Sequence, residues 1–151
     1  MCGYIVVINI VAISSDHAGF ALKEILKPVI EALGFGCKDL GGHDANSVDY
    51  PDMGKLTADE VASDAAKFGV IICGSGIGIS IAANRNLAVR AALCHNVYMA
   101  EMARKHNDAN ILALGARVID VPTAIDCVKQ FLSTEFEGGR HKARVEKLGQ
   151  N

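Results

Sequence analysis

Cys73 ends the β-branched run Val70-Ile71-Ile72 and is followed at once by Gly74-Ser75-Gly76-Ile77-Gly78. A thiol there can do chemistry as a thiolate. A glycine loop that enters a helix exposes backbone N–H groups, which favour negative charge on sulfur, on a bound anion or on a developing oxyanion. The same residues can also serve packing alone, because a cysteine beside an apolar run is a small core residue in most settings and a glycine loop can be no more than a tight strand-to-helix turn. Standard phosphate and nucleophile loops do not fit. The dinucleotide fingerprint needs glycine or alanine at Ile79, no Gly-Lys-Ser/Thr occurs, and Ser75 lacks the glycine two positions earlier that a nucleophile elbow requires.

Two polar pairs could move protons or orient hydroxyls: Asp16-His17 and His106-Asn107. Each could equally be a helix cap, Asp16 before Ala18 and Asn107 after a last helical turn. Arg140 and Arg144 are four apart and on a helix form a fork suited to phosphate, or else a solvated basic face; Arg85 and Arg90 flank a turn and read as surface residues. His43, His95 and His141 read as loop or surface residues, and no two histidines stand at a metal-ligand spacing with a carboxylate, so no metal is expected. The five cysteines are widely spaced with no C-x-x-C among them, which suggests neither a disulfide framework nor a zinc knuckle and fits a reducing cytoplasm. Cys37, Cys94 and Cys127 have apolar neighbours and read as packing residues. Cys94 is also a poor resolving partner for a redox Cys73.

The elements that must carry these residues follow from periodicity. Apolar runs of strand length alternate with segments of helical period, the pattern of parallel strands joined by crossover helices. Strands are expected at about 5–13, 35–40, 70–73, 88–93 and 111–114. Helices are expected at about 18–33, 53–67, 77–84, 97–105 and 123–132, the last entered through Pro122. In the first of these, Phe20, Leu22, Ile25, Leu26, Val29, Ile30 and Leu33 form a broad apolar face, Gly34 is the stop and Pro28 predicts a kink. The fold class is α/β: a single-domain, three-layer α/β/α sandwich, Rossmann-like, with about five parallel strands, its core at about 5–134 and a tail at 135–151 whose basic end can be helical. In such a sheet ligands bind outside the carboxyl ends of the strands. Three polar clusters fall at such ends: Ser14 to His17, Cys73 to Gly78, and Gly115-Ala116-Arg117.

A chain of 151 residues, 50% hydrophobic, has the size of one domain, and 15 basic against 17 acidic residues with no like-charge run make nucleic acid and anionic membranes unexpected partners. The apolar N-terminus has the length of a signal-peptide core but no basic flank, and it is too short to span a membrane; its Val and Ile favour a buried strand.

The motifs SDHAGFALK (15–23), VDYPD (48–52), ICGSGIGISIAANR (72–85), ARKHNDANILALGAR (103–117) and EGGRHKARV (137–145) together resemble the type B ribose-5-phosphate isomerase family, in the wider group that includes allose-6-phosphate and galactose-6-phosphate isomerases. The resemblance runs from about Val11 to Leu148. It implies metal-free, cofactor-free interconversion of ribose 5-phosphate and ribulose 5-phosphate through a cis-enediolate, in the cytoplasmic pentose phosphate pathway. Cys73 would be the base at carbon, with the amides of Gly74, Ser75, Gly76, Ile77 and Gly78 and the Ser75 hydroxyl on the enediolate oxygen. His106 would open the furanose ring as acid/base; Asp16, His17 and Asn107 would hold and shuttle protons among the sugar hydroxyls; Arg117, Arg140 and Arg144 would neutralise the phosphate, and Tyr50 would line the sugar end. The resemblance also implies a homodimer or dimer of dimers with shared sites, with His106, Asn107 and Arg117 coming from the chain opposite Cys73. A second branch uses an acid in the glycine loop; Ile79 stands there, so the cysteine branch is the one resembled. Ser75 replaces the threonine of some members, and Met1 to Ile8 looks like an extension. Rival readings are an isomerase of a six-carbon phosphate, a non-catalytic phospholigand-binding module and a thiol redox protein.

Overall fold

The computed structural model describes residues 3–44 and 46–150. Met1 and Cys2, at the start of the expected extension, lie outside the described residues. The chain forms β1 (Ile10–Ser15), α1 (Phe20–Ala32), β2 (Gly36–Gly41), α2 (Tyr50–Ala62), β3 (Phe68–Cys73), α3 (Ile77–Ala83), β4 (Ala91–Leu93), α4 (Val97–Lys105), β5 (Ile111–Gly115), α5 (Val121–Ser133) and α6 (Arg140–Leu148). The strands make one five-stranded sheet in the order β2-β1-β3-β5-β4, every pair parallel. This is the expected three-layer α/β class.

Side chains alternate across the sheet with the period of two that a strand imposes. Val11, Ile13, Val70, Ile72, Leu112 and Leu114 face α1, α4 and α5, while Ala12, Ile71, Cys73, Ile111 and Ala113 face α2 and α3. Covered on both faces, the central strands read as continuous apolar runs rather than alternating ones. That parity puts the Cys73 thiol on the α2–α3 side.

Several boundaries differ from the sequence reading, each for a physical reason. β1 begins at Ile10, not at position 5, because its neighbours begin there: Ile10 pairs with Gly36 and Val11 with Phe68. Tyr4 to Ile8 have nothing to pair with and are 60 to 94% exposed. β4 begins at Ala91, since the preceding residues are committed to turns: the Val89 N–H donates to the Asn86 carbonyl at 3.0 Å and the Arg90 N–H to Asn110 Oδ1 at 2.7 Å. α2 starts at Tyr50 and α5 at Val121, each with proline in its first turn, where a missing N–H costs nothing. Pro28 removes one bond from α1 without ending it. The apolar face of α1 is narrower than expected, for Ile25 and Leu33 are exposed, and Lys23 lies fully buried among Leu22, Leu26 and Ile30.

From β1 the chain steps outward to β2 and then returns to place β3 on the other side of β1. The carboxyl ends of β1 and β3 therefore flank the point where strand order reverses, the usual crevice of an open α/β sheet. The Asp16 N–H donates to the Ile72 carbonyl at 3.1 Å, tying the two ends together.

Candidate active site

A cleft of about 610 Å³ opens at that crevice, lined by Asp16, Tyr50, Cys73, Gly74, Ser75, Ile77, Gly78, Ile81, Arg117 and Val118. The three strand-end clusters singled out in the sequence thus converge. Cys73 pairs with Gly115 in the sheet, and the chain leaving β5 then runs along the glycine loop, the Ala116 and Arg117 N–H groups donating to the Cys73 and Gly74 carbonyls, each at 2.9 Å. This brings Arg117 to Gly74, where a Cβ would stand 3.3 Å from Nη1 of the arginine.

The loop has a packing reason for its glycines as well as a chemical use for its amides. Gly76 is left-handed at φ 77, and a Cβ there would meet Leu93 Cδ1 at 2.5 Å. At Gly78 a Cβ would lie 2.5 Å from the Tyr50 ring, so the tyrosine rests directly on the loop. The turn that Gly76 makes aims its own N–H at Cys73, donating to Sγ at 3.2 Å, with the thiol only 4% exposed. Ser75 Oγ accepts from the Ile77 N–H at 3.2 Å. Asp16 is buried and accepts the Gly19 N–H at 3.1 Å, so it caps a turn and lines the cleft at once. His17 is exposed beside it and is not among the lining residues.

Among the described residues, the other thiols pack in or against the core: Cys94 and Cys127 within it and Cys37 at its edge. Burial pushes Cys37 and Cys127 up to about 11 and Cys94 to about 12, out of the reactive range.

His106 and Asn107 lie elsewhere. They follow α4 and precede β5, so they sit at the amino edge of the sheet, separated from Cys73 by the length of β5, about 13 Å at ~3.3 Å per residue. Their turn is braced from below. Asp108, left-handed at φ 45, accepts from Arg104 Nη1 at 2.9 Å, and its carbonyl accepts from Arg90 Nε at 2.8 Å. Arg104 is itself buried against Phe68 and Phe131 and donates to the carbonyls of Ala109 and Thr134. Arg90, read as a surface residue, is one half of this clamp.

Arg140 opens α6 beside the same turn. The His106 ring stacks on His141 with centroids 4.3 Å apart and planes at 14°, and His106 Nε2 is 3.7 Å from Glu137 Oε1. Arg140 Nε donates to His141 Nε2 at 3.5 Å. His141, expected at the surface, is only 8% exposed, and its burial, the His106 ring and the charge of Arg140 hold it below the ordinary histidine range. His43 and His95 are exposed as expected. Among the described residues, His106, Glu137 and His141 form a trio of the metal-ligating type, which spacing along the chain did not reveal. The surroundings do not favour a cation: His141 Nε2 already accepts from Arg140, and Arg140 and Arg144 add positive charge.

The structure therefore divides the predicted residues into two groups at opposite edges of the sheet. One contains Cys73, the glycine loop, Asp16, Tyr50 and Arg117. The other contains His106, Asn107 and Arg140, with Arg144 one turn further along α6. Arg117 departs from expectation: it lies in the cleft of its own chain's Cys73, because β5 ends next to β3.

The family model for ribose/galactose isomerases matches residues 11–148. The chain belongs to the ribose/galactose isomerase family. It is 49% identical to ribose-5-phosphate isomerase B of Clostridium thermocellum, a solved structure with a TM-score of 0.91 covering 93% of this chain and 95% of that one. Ribose-5-phosphate isomerase B of Escherichia coli (strain K12) is 41% identical over 139 residues, 91% of this chain and 93% of that protein. The Mycoplasma genitalium enzyme, solved with bound ribulose-5-phosphate, is 40% identical with a TM-score of 0.88, over 93% of this chain and 94% of that one. Within the family the chain stands with the type B ribose-5-phosphate isomerases and is an isomerase of sugar phosphates. No helix among the described residues is long and apolar enough to cross a membrane.

Proposed function

We propose that the protein is a metal-independent aldose–ketose isomerase of the cytoplasmic pentose phosphate pathway, interconverting D-ribose 5-phosphate and D-ribulose 5-phosphate through a cis-enediolate. The observation that carries this reading is the Cys73 sulfur, buried, held by the Gly76 N–H and opening onto a cleft with Arg117 beside it. As thiolate, Cys73 takes the proton from C2 of the open-chain aldose. Electrons move into the C1–C2 bond, the carbonyl oxygen at C1 becomes the enediolate oxygen, and the loop amides with the Ser75 hydroxyl stabilise the charge it gains. The O2 proton passes to O1, shuttled among the hydroxyls by Asp16, His17 and Asn107, and returning the carbon proton from Cys73 to C1 gives the ketose with its carbonyl at C2. A base on one side of the planar enediolate can carry the carbon proton both ways, while the hydroxyl proton moves separately between the two oxygens.

Ribose 5-phosphate is a furanose in solution, so a second group must open the ring. His106 donates a proton to the ring oxygen while the C1 hydroxyl gives up its own. Asp16, His17 and Asn107 hold hydroxyls, Tyr50 lines the sugar end, and Arg117, Arg140 and Arg144 neutralise the phosphate. Because β5 separates His106 from Cys73 within a chain, this division of labour needs a second copy, whose His106, Asn107, Arg140 and Arg144 meet the first copy's Cys73 and Arg117. The assembly is a homodimer or a dimer of dimers. The ribulose-5-phosphate bound by the Mycoplasma genitalium relative supports a five-carbon substrate.

The test is turnover of chelator-treated protein on ribose 5-phosphate, with allose 6-phosphate beside it. Rapid ribulose 5-phosphate formation is expected. Preference for allose 6-phosphate would move the substrate to six carbons, and folded protein inert on both would leave a phospholigand-binding module.

A further inference from the structure

The turn Glu137-Gly138-Gly139 does something the proposed reaction does not yet use. Gly138 and Gly139 are both left-handed, at φ 67 and 55, and between them they reverse the chain so that Glu137 and His141 close on one target. The Glu137 N–H donates to the Lys105 carbonyl at 3.1 Å, fixing that residue to the last turn of α4, and the His141 N–H donates to the Gly138 carbonyl at 3.1 Å. What they close on is His106, with a carboxylate oxygen 3.7 Å from Nε2 and a buried ring stacked on its face.

We propose that Glu137 and His141 are positioning residues for His106, Glu137 supplying the counter-charge for its protonated form and His141 the flat surface that fixes its ring plane. This rests on the role of His106 in ring opening. A histidine's outer torsion is broad, so nothing in its own backbone decides where the ring nitrogens point. An offset stack does decide it. During ring opening the imidazole alternates between charged and neutral forms. Nearby, Lys105 is already paired with Glu101, and Arg140 donates to His141. Glu137 is the acid that stands next to the His106 Nε2. Burial disfavours the charged form of His141, so its ring is the less ready of the two to take a proton.

The experiment compares Glu137→Gln, His141→Ala and His141→Phe by two readouts that separate ring opening from carbon chemistry. One is kcat on ribose 5-phosphate, which must be opened. The other is deuterium uptake from solvent at C1 of ribulose 5-phosphate, which has no furanose form and needs only the Cys73 step. Glu137→Gln is expected to lower kcat by up to about fivefold, as for a half-exposed ion pair. His141→Ala is expected to lower it about tenfold, and His141→Phe, which keeps the stack, to restore it to within about twofold. Any loss of the Arg140 contact would show in KM. Deuterium uptake stays near the unsubstituted rate in all three. Equal falls in both readouts would overturn the proposal, as would an unchanged kcat in both Glu137→Gln and His141→Ala. The imidazole 15N spectrum of His106, taken without sugar, should change in Glu137→Gln and His141→Ala but little in His141→Phe. If the unsubstituted protein turns over neither sugar, the isomerase reading fails and this spectrum alone decides the coupling: an unaltered spectrum sinks it.

Discussion

Cys73 combines burial with a single N–H contact, so its replacement separates chemistry from folding. Cys73→Ala removes one sulfur from a small pocket and leaves the strand's hydrogen bonds and the turn at Gly76 in place. Isomerisation should fall by at least about a thousandfold, as for loss of the acting nucleophile or base, with thermal stability lowered by no more than about 1 kcal/mol. Turnover beside a melting curve checks both halves, and retained turnover would remove Cys73 from the mechanism. Cys73 and its glycine loop stand out in the sequence because their neighbours along the chain are also their neighbours in space, whereas Arg117 reaches Gly74 only through the pairing of β5 with β3. Glu137 and His141 do not stand out. Both stand in EGGRH, which drew attention for its arginine, and their target His106 lies far off in sequence, so only the docking of α6 against α4 reveals what they touch.

Lys23 and Asp39 link elements rather than neighbours. Lys23 on α1 is fully buried, with Nζ 2.6 Å from Asp39 Oδ2 on β2, while Lys27 reaches the same oxygen at 3.0 Å from a more exposed position. Burial alone would push the Asp39 carboxyl up, but the hydrogen bonds from Lys23, Lys27 and the Gly41 N–H outweigh it and hold the group below its ordinary 3.8. The folded state therefore favours the ionised acid. The stability it contributes is present above about pH 4 and is lost as pH falls through the lowered value. Asp39→Asn, which leaves Lys23 buried with only Glu24 at 3.5 Å, should cost about 3 kcal/mol at neutral pH and flatten the acid limb of the stability profile. Lys27→Ala should cost less than about 1 kcal/mol. Denaturant unfolding from pH 3 to 7 measures all three proteins; equal losses in the two variants would show that burial of Lys23 is not the cause. Periodicity placed α1 but read its buried face as purely apolar, since a lysine belongs inside only when a partner strand supplies an acid. The start of β1 was hidden for a related reason: Tyr4 to Ile8 have strand composition, but a strand needs a neighbour, and β2 and β3 begin too late to provide one.

For the molecule as a whole, the decisive feature is the length of β5, which keeps His106 at one edge of the sheet and Cys73 at the other. If a working site takes one group from each of two copies, two inactive proteins should repair each other. Cys73→Ala and His106→Ala, mixed in equal amounts and allowed to exchange subunits, should regain about a quarter of normal activity. Half of the resulting dimers are mixed, and each mixed dimer holds one intact site. No recovery after exchange shown by mass spectrometry would mean that each site is built within one chain.

The same separation has a genetic consequence. Two alleles of this gene, one damaged at Cys73 and the other at His106, should complement when expressed in one cell, although neither supports growth that depends on the reaction. Two alleles both damaged at Cys73 should not. A chain carrying both lesions would be worse than a null allele, because every normal subunit it captured would lose both of the sites in its dimer.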